Sequence, residues 1–182
     1  MRIVGGRLGG RRLAAPRGDG TRPTSEKVRE ALFSVLGDVA GLSVLDLYAG
    51  TGALALEALS RGAERAVCVE SARAALDALR DNARSLGVSL VVVPRPVERA
   101  ATDVAPHAPF DLVFADPPYA RVASGELAAA IARYVPLSSP NALFVVEHGA
   151  KTAAPTPEGL VVDETRTWGD TSITFLVRAA PA

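Results

Sequence analysis

Residues 43–52 read Ser43-Val44-Leu45-Asp46-Leu47-Tyr48-Ala49-Gly50-Thr51-Gly52, and this stretch decides the fold. A short apolar run, too brief for a helix, ends in a loop with two glycines. Residues 53–61 then carry a helical pattern closed by Gly62. An apolar strand entering a glycine turn that opens a helix is the first half of a βαβ unit. The same alternation continues outward. Strands are expected at 65–70, 89–93, 110–115 and 142–147, with helices at 72–86 and 125–134. Residues 160–168 and 172–177 read as a closing hairpin around Gly169-Asp170. Upstream, residues 26–36 place Val28, Ala31, Leu32 and Val35 at helical spacing. The predicted fold class is α/β, a doubly wound and mostly parallel sheet of seven strands, with a small N-terminal basic hairpin or arm. Residues 1–23 are expected to form that arm and residues 24–182 the main domain.

The chain has 182 residues, 48% hydrophobic and 22% charged, and is neutral as a whole. Its charge is uneven. Residues 1–30 carry +5 and the rest −5, an arrangement suited to a polyanion. A solubilising tail is the other reading of that charge. No apolar run approaches a membrane span, and residues 1–6 lack the apolar core of a secretory signal. The single cysteine, Cys68, excludes an internal disulfide. The cytoplasm is the expected location, with no membrane contact.

In doubly wound sheets, ligands bind beyond the carboxyl ends of the strands. That rule selects Asp46 to Gly52, Glu70, the stretch after Val93, and Asp116-Pro117-Pro118-Tyr119. Gly50 and Gly52 let the backbone turn tightly and approach a ligand. Glu70 ends the second strand, where a carboxylate can accept from both hydroxyls of a ribose. With Ala55 three residues after Gly52, the loop alone does not exclude a dinucleotide. Asp46 argues against one, because a carboxylate there would repel a pyrophosphate. An acid suits a ligand with ammonium and sulfonium groups, and S-adenosylmethionine has both. A tight turn with no ligand remains the alternative for Gly50 and Gly52.

Consecutive prolines fix φ and hold Asp116 extended. The Asp116 carboxylate and the Pro117 carbonyl then project as acceptors for the two hydrogens of an –NH2 group. Tyr119 offers a face on which a base can stack, worth roughly 1–3 kcal/mol. A nucleobase amine has its lone pair delocalised into the ring. Two acceptors on its hydrogens fix the nitrogen and favour a localised pair, so in-line positioning can carry the reaction. The alternative is a turn in which the aspartate caps backbone and the tyrosine packs.

These residues resemble the class I S-adenosylmethionine-dependent methyltransferases. Arg2-Ile3-Val4-Gly5-Gly6, Arg11-Arg12-Leu13, Thr21 to Thr24, Lys27 to Phe33, Val44 to Gly52, Asp116 to Tyr119 and Trp168 to Thr171 are similar to the RsmD family of 16S rRNA guanine-N2 methyltransferases. The resemblance implies a class I Rossmann-like fold and methylation of a guanine N2 in a partly or fully assembled small subunit. It implies S-adenosylmethionine as cofactor, with 16S rRNA and the small ribosomal subunit as partners. The reaction itself needs no metal, and a monomer is expected.

Candidate cofactor contacts are Asp46, Tyr48, Ala49, Gly50, Thr51 and Gly52, with Glu70, Ser71 and Val97. The family's acidic or polar adenine contact has no clear counterpart in Pro94-Arg95-Pro96-Val97-Glu98, so a backbone group near Val97 or the Glu98 side chain must serve. Asp116, Pro117 and Tyr119 are the candidate catalytic residues. Candidate RNA contacts are Arg2, Arg7, Arg11, Arg12, Arg22, Lys27 and Arg29. An adenine-N6 methyltransferase could use the same catalytic loop. Few residues lie outside the core to read DNA sequence, which favours RNA. A non-enzymatic RNA-binding assembly factor is the reading from another class. Cys68 is expected in the core, His107 in a loop, Trp168 in packing, and Glu147-His148 at a strand end near the site. The His and Cys spacing supports no zinc site.

Overall fold

The computed structural model describes residues 1–15, 26–118 and 126–180. Seven strands form one sheet: β1 (Ser43–Leu47), β2 (Arg65–Glu70), β3 (Val91–Pro94), β4 (Phe110–Ala115), β5 (Ser138–Gly149), β6 (Leu160–Trp168) and β7 (Thr171–Arg178). Their spatial order is β3-β2-β1-β4-β5-β7-β6. The first five run parallel, whereas β7 runs antiparallel to both β5 and β6. The helices are α1 (Glu26–Leu36), α2 (Ala53–Ser60), α3 (Arg73–Leu86), α4 (Ala101–Val104) and α5 (Glu126–Ala132). The expected α/β sheet of seven strands is the fold observed.

Every residue of β1 is buried. The strand alternates between two cores, because successive side chains point to opposite faces. Val44 joins Leu32, Phe33, Ala55, Leu59, Leu79 and Phe114, beneath α1, α2 and α3. Leu45 and Leu47 join Val104, Leu127, Ile131, Tyr134 and Phe144, beneath α4 and α5. The same alternation sends Asp46 to the α2 side, where it meets the start of that helix. Cys68 is a buried core residue and Trp168 packs against the first of these clusters.

Several boundaries differ from expectation. β3 begins at Val91, because Gly87 and Val88 donate backward to Arg84 and Ala83 and keep the chain turning after α3. β5 starts at Ser138, and a register shift between Phe110 and Leu112 absorbs its extra length. α5 ends at Ala132, after which Tyr134 closes a turn on Ile131. No described helix is long and apolar enough to cross a membrane.

The N-terminal segment is a small hairpin, with Arg2 bridging Arg12 and Ile3 N–H donating to the Arg11 carbonyl at 2.9 Å. Over residues 1–15 it lies packed on the body rather than extended from it. Ile3, Leu8 and Leu13 form a third cluster with Leu56, Ala83 and Leu86. Glu57, wholly buried on α2, accepts the Val4 and Gly5 N–H groups at 2.7 and 2.8 Å. Ser60 Oγ accepts the Leu8 N–H at 2.9 Å and donates to the Gly5 carbonyl. Gly6 has φ +71°, and a Cβ there would lie 2.0 Å from the Ser60 carbonyl oxygen. Glycine at position 6 is therefore required by contact with the end of α2.

Candidate active site

The strand register aligns the candidate residues. Leu47 pairs with Val69 on one side and Ala115 on the other, and Ala115 pairs with Val146. One residue further along each strand, Glu70, Tyr48, Asp116 and Glu147 form a row across the carboxyl edge. The glycine loop begins at Tyr48, in the middle of that row.

The loop holds three positive φ values: Tyr48 at 61°, Gly50 at 55° and Gly52 at 78°. Tyr48 is the only non-glycine in that region among the described residues, a conformation that costs an L residue about 1–2 kcal/mol. Gly52 N–H donates to the Ala49 carbonyl at 2.7 Å, closing the turn. A Cβ on Gly52 would meet Leu79 Cγ at 3.2 Å, so close packing of α2 on α3 also selects glycine there. Glu70 Oε2 accepts the Gly50 N–H at 2.8 Å, and its Oε1 accepts from Ser71 and Ala72, both at 2.7 Å. The strand-end acid thus fastens the loop to the start of α3.

Asp46 is almost fully buried, at 1% exposure. Its Oδ2 accepts the Ala55 N–H at 3.1 Å, and its Oδ1 has no hydrogen-bond partner. Burial pushes its pKa up to about 8; the Ala55 bond opposes this, and the charges of Asp116 and Glu70 add to it. An orphaned carboxylate oxygen beside two further acids fits a cationic ligand group and disfavours an anionic one.

Val97 is buried, and its carbonyl accepts the Tyr134 hydroxyl at 2.5 Å. Burial pushes the Tyr134 phenol pKa well up, which keeps it a donor. The Tyr48 hydroxyl donates to Glu98 Oε1 at 3.4 Å. The turn at Val97–Arg99 is therefore held from both sides, by Tyr134 from α5's end and Tyr48 from the loop. Asp116 is half-buried, Pro117 buried and Pro118 exposed. Tyr119 and Arg22 lie outside the described residues.

The basic set divides. Arg7, Arg12 and Lys27 are exposed. Arg2 pairs with Glu26 at 3.0 Å, and Arg11 caps the Ser85 carbonyl at 2.6 Å. Arg29, expected to contact RNA, is instead fully buried, 3.4 Å from Glu57, and donates to the Arg2 carbonyl. Burial lowers its pKa while Glu57 opposes that shift. As folded, its guanidinium does not reach a phosphate. Glu147 and His148 are buried too, with His148 Nε2 2.8 Å from Thr174 Oγ1. Among the described residues, no group of His, Cys, Asp and Glu could hold a metal ion.

Three positions were missed in the sequence. Asn82 on α3 is buried and bonds both Ala14 and Thr51. Its signal was a polar residue inside the apolar row Ala75, Leu79, Ala83, Leu86. Glu57 interrupts the apolar run from Ala53 to Leu59 in the same way. Tyr134 left no such signal.

A family model described as Conserved hypothetical protein 95 matches residues 1–177. The chain is 34% identical over 178 residues to YlbH of Bacillus subtilis (strain 168), covering 95% of this chain and 96% of that one. It is 32% identical over 176 residues to the Ribosomal RNA small subunit methyltransferase D of Haemophilus influenzae, covering 93% and 89%. The solved structure of a hypothetical protein from Thermus thermophilus superposes with TM-score 0.83 at 32% identity, over 98% of this chain and 99% of that one. With the match running from the N-terminal hairpin almost to the end of β7, the chain belongs to this Conserved hypothetical protein 95 family, which is the RsmD family.

Proposed function

We propose that the chain transfers a methyl group from S-adenosylmethionine to the exocyclic N2 of one guanine in 16S rRNA, within assembled or partly assembled small subunits. The observation that carries this reading is the row formed by Glu70, Tyr48 and Asp116 beside the glycine loop. Family membership and the methyltransferase named among its relatives support the rRNA substrate.

S-adenosylmethionine supplies an activated methyl on a positively charged sulfur. The chain's own residues do the rest. Asp46, with its unpartnered Oδ1, favours positive charge behind the loop. Glu70 accepts ribose hydroxyls while bracing Gly50. The Val97–Arg99 turn borders the adenine. Asp116 and the Pro117 carbonyl each accept a hydrogen bond from one amine N–H, which holds the nitrogen and aims its lone pair. As charge develops on that nitrogen, the Asp116 carboxylate stabilises it, and the surplus proton leaves the nitrogen by way of that carboxylate to water. Tyr119 supplies the stacking face that holds a splayed base.

Labelled S-adenosylmethionine and undermethylated small subunits test the reading. One labelled N2-methylguanosine is expected by nucleoside mass spectrometry. Asp116→Ala should abolish transfer and spare subunit binding. Label appearing only in N6-methyladenosine, or in no RNA of any assembly state, would overturn the assignment.

A further inference from the structure

Asn82 is 1% exposed, and its amide is used on both sides. Its Oδ1 accepts the Ala14 N–H at 2.7 Å, and its Nδ2 donates to the Ala14 carbonyl at 3.2 Å. That pair reproduces the two-point contact one strand offers another. The same Nδ2 donates to the Thr51 carbonyl at 3.1 Å, between the two loop glycines. One planar group therefore holds the N-terminal segment and the glycine loop together. A carboxamide has two amino hydrogens fixed in the plane of its oxygen. If the Thr51 carbonyl shifts, the amide tilts and both Ala14 bonds lose alignment. The same segment carries Arg7 and Arg12, both exposed.

We propose that Asn82 is a positioning residue that couples cofactor occupancy of the glycine loop to RNA engagement by the N-terminal segment. This rests on the functional reading above, with cofactor on the loop and RNA on the basic segment. A ligand that steadies Thr51 steadies Ala14 through Asn82. RNA that steadies the N-terminal segment steadies the loop by the same bonds. Linkage makes the two effects equal.

The affinity for S-adenosylhomocysteine, measured by equilibrium dialysis with and without saturating undermethylated small subunits, tests this. Wild type should bind about tenfold tighter with subunits present. Asn82→Ala should reduce that factor to within about twofold of unity. Ser60→Ala is the control, since it removes the bonds to Leu8 and Gly5 without touching Thr51. It should weaken the hairpin yet keep the factor. Hydrogen exchange on wild type needs no variant to fold: S-adenosylhomocysteine alone should slow exchange of the Ala14 amide about tenfold. The proposal is overturned if wild type shows no factor while binding both ligands. It is equally overturned if Asn82→Ala keeps the factor, if Ser60→Ala loses it as fully, or if Ala14 exchange does not change. Absence of any S-adenosylhomocysteine binding by wild type would instead strike the cofactor reading itself, and this inference with it.

Discussion

Glu70 Oε2 sits 2.8 Å from the Gly50 nitrogen, so the acid at the end of β2 holds the loop at the end of β1. With Ser71 and Ala72 donating to its other oxygen, the carboxylate collects three backbone donors. Glu70→Gln keeps one acceptor and turns an –NH2 toward N–H groups. Charge-assisted bonds contribute about 1.5–3 kcal/mol each. Affinity for S-adenosylhomocysteine should therefore fall roughly 10- to 100-fold by calorimetry. An unchanged affinity would leave Glu70 as a brace of the loop alone.

Asp46 predicts a pH dependence. Its folded pKa, about 8, lies above the ordinary 3.8. The stability it contributes is complete below the lower value and is lost as pH rises through the upper one. A cationic ligand favours the ionised form, so at neutral pH binding expels the proton. Affinity for S-adenosylmethionine should rise about tenfold per unit between roughly pH 5.5 and 7.5. Calorimetry in two buffers of different ionisation enthalpy should register about one proton released. Asp46→Asn should flatten the profile. A flat profile in wild type would remove the charge argument for the ligand.

The strand–loop–helix unit was legible because β1 is buried on both faces and its Val44, Leu45 and Leu47 make a short apolar run before two glycines, broken only by Asp46. Asp116-Pro117-Pro118 was legible because proline restricts the backbone whatever surrounds it. The buried polar ties were not, since their partners are remote in sequence. Arg29 precedes Leu32 and Phe33 by three and four residues, on the same helical face. Its position therefore announced burial, but its charge suggested a phosphate, and only Glu57 explains how the core accepts it. Asn82 poses the same problem, with Ala14 68 residues away. Pattern reveals which face a residue takes; it does not reveal what waits there.

Two glycines in the hairpin should respond differently to alanine. At Gly6, φ is +71° and the new Cβ would lie 2.0 Å from the Ser60 oxygen, a backbone atom that cannot swing aside. Strain and overpacking together cost about 2–5 kcal/mol. At Gly10, φ is +82° and nothing lies within 4 Å, so only the conformational cost of about 1–2 kcal/mol applies. Urea unfolding should show Gly6→Ala as the more damaging variant. Equal losses would mean that the hairpin does not dock on α2 in solution.

Glu57 joins the hairpin to two helices. It accepts from Val4, Gly5 and Arg61 and faces Arg29, all at a buried position. Removing one partner from a buried pair costs about 3–5 kcal/mol, because the other charge is left without compensation. Glu57→Ala should lower stability by that order in urea unfolding. The double variant Glu57→Leu with Arg29→Met should recover a large part of the loss. No recovery would show that the backbone bonds to Val4 and Gly5, rather than the ion pair, dominate.

Arg7 and Arg29 separate binding from stability. Arg7 is exposed on the hairpin, and Arg29 is enclosed with Glu57. A phosphate contact contributes about 0.7–0.9 to the slope of log K against log salt. Arg7→Ala and Arg12→Ala should each reduce the slope for small-subunit binding by about that amount and leave the unfolding midpoint near wild type. Arg29→Met should shift the midpoint, and at a temperature where the variant stays folded its salt slope should match wild type. A reduced slope in folded Arg29→Met would mean that the N-terminal hairpin lifts from α2 and exposes this guanidinium when RNA binds.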